Sequence, residues 1–249
     1  MIRKNILDTL ITIGSFSSFI EKVFLLVDTN LSTYVCVCNV HMLMKAKRDA
    51  EYRKVLKEAD VITPDGMPIV KVLSWKYSIQ QDRVSGMDLM PRIIKECAKF
   101  GKSVYLYGST DDVLENIKKR INSDFPFLEV DLYSPPFREL SALEDDEICK
   151  KINDFNPDFV FVALGCPKQE KWMAKHKGKI NSCMIGLGGA FPVYAGLQKR
   201  APKWMCDNSL EWLYRLILEP RRLFGRYFVT NTLFILYICI DYLQSKFNK

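Results

Sequence analysis

Histidine is almost missing from this chain, with only His41 and His176 among 249 residues. The eight cysteines include no CxxC pair, so no zinc site of recognisable spacing can be assembled. No GxxxxGK[ST] occurs, which excludes a P-loop NTPase. No Asp-x-Asp closes an apolar run, which argues against chemistry that uses such a pair to hold a divalent metal on a diphosphate. Gly186-x-Gly188-Gly189 falls short of a dinucleotide fingerprint, because Phe191 stands where the third glycine belongs.

Long apolar runs are lacking too. Arg3 and Lys4 open the chain, but Asp8 interrupts what would be the apolar core of a signal peptide, so secretion is not expected. Near the other end, Tyr227–Leu243 is rich in apolar residues yet contains Thr230, Asn231, Thr232 and Asp241, and its longest unbroken apolar stretch is Leu233–Ile240. A spanning helix needs about 20 predominantly apolar residues. This segment therefore reads as a helix lying on a membrane surface, or as a buried terminal helix.

What is present is an ordinary globular balance of 48% hydrophobic and 26% charged residues, which excludes disordered, collagen-like and coiled-coil chains. The length suits one large domain, or one domain with an appendage. Thiols scattered in this way fit a reducing compartment. Cys36 and Cys38, two apart in an apolar run, share one face of a strand as small core residues. The charge is uneven: residues 199–249 hold nine Lys/Arg against four Asp/Glu, a net of +5, which leaves only +2 of the chain's +7 for the first 198 residues. A basic last fifth suits a phosphate-bearing partner such as nucleic acid, a nucleotide or an anionic membrane surface.

Strands are expected at Tyr34–Asn39, Ser103–Tyr107, Phe127–Tyr133, Asp158–Leu164 and Ser182–Leu187. The fourth is nearly all apolar, as a strand covered on both faces must be. Met90, Ile93, Ile94, Cys97 and Ala98 keep helical spacing, as do Val113, Leu114, Ile117 and Ile121. Strands alternating with amphipathic helices predict a Rossmann-like, doubly wound α/β sheet. We divide the chain into an α/β core at 1–198 and a basic helical appendage at 199–249.

Ligands of such sheets sit beyond the carboxyl ends of the strands. The residues placed there are Asn39-Val40-His41, Thr63-Pro64-Asp65-Gly66, Gly108-Ser109-Thr110, Gly165 to Glu170, and Gly186 to Gly189. They are small, polar or charged, the profile of a nucleotide site. Asp65, flanked by Pro64 and Gly66 with no basic neighbour, is either a general base for a hydroxyl or the first residue of an Asx turn. Arg83 is a candidate for holding a phosphate or carboxylate. His41 and His176 are lone histidines, the latter among Lys175, Lys177 and Lys179 at an expected solvated helix end. The acidic run Glu144 to Glu147 reads as a solvated first helical turn.

In the C-terminal segment, Asn208 is a candidate helix cap with Glu211 completing a capping box. Glu211, Arg215 and Glu219 fall four residues apart, and Arg222 and Arg226 continue the stripe if the helix survives Pro220. The stripe is either an internal salt-bridged ladder or an arginine-lined groove for phosphates at a membrane surface.

At these residues the sequence resembles the WecG/TagA/CpsF glycosyltransferases (glycosyltransferase family 26). The stretches that carry the resemblance are TPDGMPIV (63–70), DRVSGMDLMP (82–91), NPDFVFVALGCPKQEKWM (156–173), GLGGAFPVYAGLQKRAPKW (186–204) and LEWLYRLILEPRRLFGRY (210–227). The resemblance implies an α/β enzyme at the cytoplasmic face of a bacterial membrane, peripheral to it. It implies inverting transfer of a hexose or N-acetylhexosamine, with the N-acetylmannosamine type favoured, from a UDP-sugar to a polyprenyl-diphosphate-linked sugar in cell-surface polysaccharide synthesis. It implies no metal and no cofactor, and leaves homo-oligomerisation open; the arginine stripe on apolar helices, without the interleaved polar and aromatic surface expected for binding bases, argues against a nucleic-acid partner. Asp65 matches the family's catalytic base. Asn39, Gly66, Arg83, Lys168, Gln169 and Gly188 match substrate-binding positions, with Arg83 and Lys168-Gln169 expected near the donor. Arg215, Arg222 and Arg226 match arginines that receive the acceptor's diphosphate. Two positions depart from the pattern: Val37 replaces a common Thr, and Pro192 replaces the usual Asp after GGxF. Two alternatives from other classes are a nucleotide-dependent oxidoreductase on a Rossmann-like fold and a non-catalytic scaffold at a membrane surface.

Overall fold

The computed structural model describes residues 1–29, 31–207 and 210–247, apart from the side chains of Lys203, Asp207, Arg222, Arg226 and residues 245–247. Among the described residues the chain opens with β1 (Arg3–Ile6) and β2 (Thr9–Thr12), then α1 (Phe16–Asp28), β3 (Thr33–Cys38), α2 (Val40–Arg48), α3 (Ala50–Glu58) and β4 (Val61–Pro64). Next come α4 (Met67–Tyr77), α5 (Gly86–Phe100), β5 (Val104–Gly108), α6 (Asp111–Asp124), β6 (Val130–Tyr133), α7 (Ala142–Phe155) and β7 (Phe159–Ala163). The last part holds α8 (Lys168–His176), β8 (Cys183–Gly186), α9 (Phe191–Tyr194), α10 (Lys203–Asp207), α11 (Glu211–Leu218) and α12 (Pro220–Phe247).

Six strands form one parallel sheet in the order β4-β3-β8-β7-β5-β6, so the expected Rossmann-like α/β architecture is present. Helices cover both faces, and strand periodicity divides the core accordingly. Phe159 and Phe161 of β7 enter one cluster, while Val160 and Val162 enter the other. Cys36 and Cys38 point with Tyr34 into the second of these, sharing a face as expected. The α5 stripe Met90, Ile93, Ile94 and Cys97 is fully buried, as are Leu114, Ile117 and Ile121 of α6. At roughly 1.5–3 kcal/mol for each large aliphatic side chain buried, such stripes hold the helices to the sheet.

The N-terminal segment is a hairpin, β1–β2, whose two-residue turn puts Leu7 and Asp8 in the left-handed region. It covers the free edge of β4: Ile62 N–H donates to Thr12 Oγ1 at 3.1 Å. The sequence reading had no strand there, since four-residue runs carry little periodic signal.

Two acidic and basic groups differ from their expected settings. His176 is fully buried; its ring stands 3.2 Å from Asp145 Oδ2, and Nδ1 meets Trp172 O at 2.7 Å. Burial pushes its pKa down, opposed by the Asp145 charge. Asp145 is buried as well, and Lys175 at 2.6 Å completes the group, so this part of the acidic run ties α7 to α8 instead of facing solvent. The turn itself is fixed by a capping box between Ser141 and Glu144.

At the C-terminus, α11 ends at Leu218 and a new helix starts at Pro220, as a proline at that point requires. α12 has 28 residues, and its stretch Leu223–Gln244 is long and apolar enough, by length and composition, to cross a membrane. This differs from the sequence expectation, because the polar residues that interrupt the apolar run do not interrupt the helix. One side is occupied by protein: Phe234 is buried, and Leu233, Tyr237 and Ile238 pack on the core cluster that includes α2. Its far end pairs Asp241 with Lys76 and sets the Tyr242 ring against Trp75 of α4 in a tilted contact, ring centroids 4.9 Å apart. At about 100° per residue, Phe224, Phe228, Ile235 and Leu236 fall away from that side, and all are exposed.

Candidate active site

Parallel strands deliver their C-terminal loops to one edge, and the four adjacent strands β4, β3, β8 and β7 bring together most of the selected segments. A cleft of about 440 Å³ opens there. Its walls include Asn39, Asp65, Gly66, Arg83, Gln169, Gly188 and Arg215. Val37 and Pro192, the two departures from the family pattern, line it too. Gly108-Ser109-Thr110 does not, because β5 lies beyond β7 on the far side of the sheet.

Four helices begin at the cleft: α2 after Asn39, α4 after Gly66, α5 after Ser85 and α8 after Pro167. Their N-terminal dipoles favour an anion in the space between them. Asn39 caps α2, its Oδ1 accepting Met42 N–H at 3.2 Å, so its amide NH₂ is what remains to face a ligand. Gly66 has φ +117, a conformation other residues rarely adopt, and this turn sets Asp65 at the head of α4.

Asp65 is anchored by its own backbone, with N–H donating to Cys38 O at 2.8 Å. Burial pushes its carboxyl up to about 7, with Glu211 adding to the rise and Arg83 and Arg215 opposing it. Hence a proton leaves and returns near neutral pH, which suits a general base.

Arg83 is carried by the loop before α5, which β4 holds in place: Thr63 Oγ1 donates to Val84 O and Val84 N–H to Pro64 O, both at 3.0 Å. Neighbouring Asp82 is structural, accepting Phe16 N–H at 2.8 Å at the start of α1. The Arg83 guanidinium is already engaged, Nη1 with Glu211 at 2.8 Å and Nη2 with Asp88 at 3.4 Å. Glu211, the first residue of α11 after Leu210, serves Arg83, while the expected cap, Asn208, lies outside the described residues.

Gln169 is buried under the loop after β8. A methyl group at Gly186 would lie 2.8 Å from its Nε2, and one at Gly188 would lie 2.8 Å from its Oε1. Both positions must stay glycine for the amide to sit there. Nε2 donates to Glu170 at 2.7 Å, whereas Oε1 is buried without a hydrogen-bond partner. Arg215 is similar: it projects from α11 towards Gly189, and its Nε is buried without a partner. Such groups are costly unless something satisfies them.

Lys168 is exposed in the first turn of α8 and does not line the cleft, so the structure separates it from Gln169. Arg222 and Arg226 lie on α12, but their side chains are outside the described residues. The neighbouring α12 residues Leu223, Tyr227, Thr230 and Asn231 form a cleft wall. Cys166 also lines the cleft, but burial, with Glu170 adding to it, pushes its thiol up to about 12, which disfavours the thiolate at neutral pH.

The model of the glycosyl transferase WecG/TagA/CpsF family matches residues 4–248. The chain belongs to this family. Among its relatives, a protein from Bacillus subtilis (strain 168) is 34% identical over 209 residues, covering 84% of this chain and 79% of the relative. One from Bacillus spizizenii (strain ATCC 23059 / NRRL B-14472 / W23) is also 34% identical over the same shares of both chains. One from Staphylococcus aureus (strain NCTC 8325 / PS 47) is 28% identical over 203 residues, 81% of this chain and 78% of the relative. All three are named N-acetylglucosaminyldiphosphoundecaprenol N-acetyl-beta-D-mannosaminyltransferase. As a member of the WecG/TagA/CpsF family the chain is a glycosyltransferase, and the oxidoreductase and scaffold alternatives fall away.

Proposed function

We propose that this glycosyltransferase moves an N-acetylhexosamine of the N-acetylmannosamine type from a UDP-sugar to a polyprenyl-diphosphate-linked sugar, with inversion and without a metal. The observation that carries the mechanism is Asp65: a carboxyl pushed up to about 7, in the cleft at the carboxyl ends of the strands. In the reaction Asp65 takes the proton from the acceptor hydroxyl. That oxygen attacks the anomeric carbon from the face opposite the nucleotide, the bond to the diphosphate breaks, and UDP leaves with the electron pair. The acceptor class is suggested by the names of the relatives, which act on a diphosphoundecaprenol-linked sugar.

Gln169 Oε1 suits a donor-sugar hydroxyl or amide N–H, and Arg215 suits a phosphate. The amide NH₂ of Asn39 and the backbone around Gly66 and Gly188 complete the substrate-facing surface. Arg222 and Arg226 are assigned to the acceptor's diphosphate. The helix N-termini that open on the cleft supply the positive charge that a metal would otherwise provide to the donor's diphosphate leaving group.

Residues 199–249 act as an appendage that both walls the cleft and meets the membrane at its cytoplasmic face. The exposed apolar side of α12, with Phe228, Ile235 and Leu236 more than half exposed, suits the acyl boundary of a bilayer, while the opposite side stays on the protein.

A panel of UDP-sugars offered with a short-chain polyprenyl-diphosphate-sugar acceptor, scored by product mass, tests the assignment. The expected result is one added N-acetylhexosamine from UDP-N-acetylmannosamine, unchanged by EDTA. Loss of product in EDTA with recovery in Mn²⁺ would contradict the metal-free mechanism, and transfer of an unmodified hexose alone would contradict the donor class.

A further inference from the structure

Arg83 and Glu211 are 128 residues apart in sequence, yet their side chains meet at 2.8 Å and are both nearly buried, 16% and 15% exposed. β4 fixes the backbone of the Arg83 loop, but the direction of the guanidinium is left to its two carboxylate partners. Of these Glu211 is the nearer. Asp88, at 3.4 Å, is mainly committed elsewhere, accepting from Ser85 Oγ and from Arg200, each at 2.6 Å.

The charges around Asp65 come from several elements: Arg83 from the loop before α5, Asp88 from α5, and Glu211 and Arg215 from α11. With Arg200, which pairs with Asp88, the set holds three carboxyl groups and three guanidinium groups. A mostly buried guanidinium deprived of its partner turns to the nearest other anion. Asp88, already at 3.4 Å, is shared with Ser85 and Arg200, which leaves Asp65 as the next carboxylate that feels the Arg83 charge, and a base bound by arginine is a weak base.

We propose that Glu211 is a positioning residue, its carboxylate holding the Arg83 guanidinium beside the Asp65 carboxylate without letting it bind there. This inference rests on the reading of Asp65 as the general base.

Glu211→Gln keeps the shape and a hydrogen bond to Arg83 but removes the charge; Glu211→Ala removes both. In full-length protein, Glu211→Gln is expected to move the acid limb of the kcat/KM profile down by about 0.5–1 pH unit. Glu211→Ala is expected to lower kcat by about tenfold or more, with donor KM changing less than about threefold. Loss of the Glu211 charge alone moves the limb but leaves kcat at the pH plateau unchanged, and a purely structural role lowers the melting temperature without moving the limb, so plateau kcat and melting are both followed alongside. Because the Gln variant is nearly isosteric, it decides the matter if the Ala variant does not fold. An unmoved limb in Glu211→Gln overturns the inference while leaving Asp65 as the base. Full activity of Asp65→Asn in the same assay overturns the base reading, and this inference with it.

Discussion

Asp65→Asn is expected to lower turnover by about 10²–10⁴, the usual worth of a positioned general base, while donor affinity changes little. The variant should also reveal the cost of keeping the carboxyl in the cleft. The folded chain holds its proton up to about 7, whereas the unfolded chain releases it near the ordinary aspartate value of 3.8. The folded state therefore binds more protons between those values. The stability tied to Asp65 is complete below the lower value and is lost as pH rises through the upper one. Asparagine has no such dependence. The variant should melt with the wild type near pH 4 and above it at pH 8, by an amount on the order of 1–4 kcal/mol. Thermal melting at the two pH values checks this. Equal melting at pH 8 together with full turnover would leave Asp65 as no more than the head of α4.

Truncation after Gln198 is expected to have an effect at least as large, abolishing transfer and releasing the protein from anionic vesicles. It removes Glu211, Arg215, Leu223, Tyr227, Thr230 and Asn231 from the cleft wall. It also removes the exposed apolar side of α12. The structure adds a consequence for stability: Phe234 is buried against the core, and removing a buried aromatic costs about 3–5 kcal/mol. The shortened chain should keep its α/β circular dichroism but melt lower. Charged substitutions at Ile235 and Leu236, both exposed, separate the two roles, since they should weaken vesicle binding and leave the cleft intact. If the truncated protein still binds vesicles and turns over lipid acceptor, the assignment of residues 199–249 is wrong.

Much of this was legible in the sequence. The five expected strands all exist, β6, β7 and β8 shorter at their ends and β3 and β5 shifted by one residue, because two-sided burial writes near-continuous apolar runs into β3, β7 and β8. The loops after β3, β4, β7 and β8 were selected because strand ends position ligands in this fold class, and they do converge. The loop after β5 was selected on the same ground and does not, since strand order is a long-range property that local pattern does not encode. The short β1–β2 hairpin carried too few residues for a periodic signal. His176 and Asp145, read as solvated because lysines and acids surround them in sequence, are buried because helical geometry turns neighbours to different faces. The Arg83–Glu211 pair and the unpartnered Gln169 Oε1 had no local signature at all. They belong to tertiary packing.

The central claim is that Asp65 acts as the base in this cleft, and the pH dependence of kcat/KM tests it most directly. With UDP-N-acetylmannosamine and a short-chain acceptor, the wild type should show an acid limb with an apparent pKa near 7, falling tenfold per pH unit below it. The residual activity of Asp65→Asn should lack that limb. A profile that stays flat from pH 5 to 8, or a limb that persists unchanged in Asp65→Asn, would contradict the account.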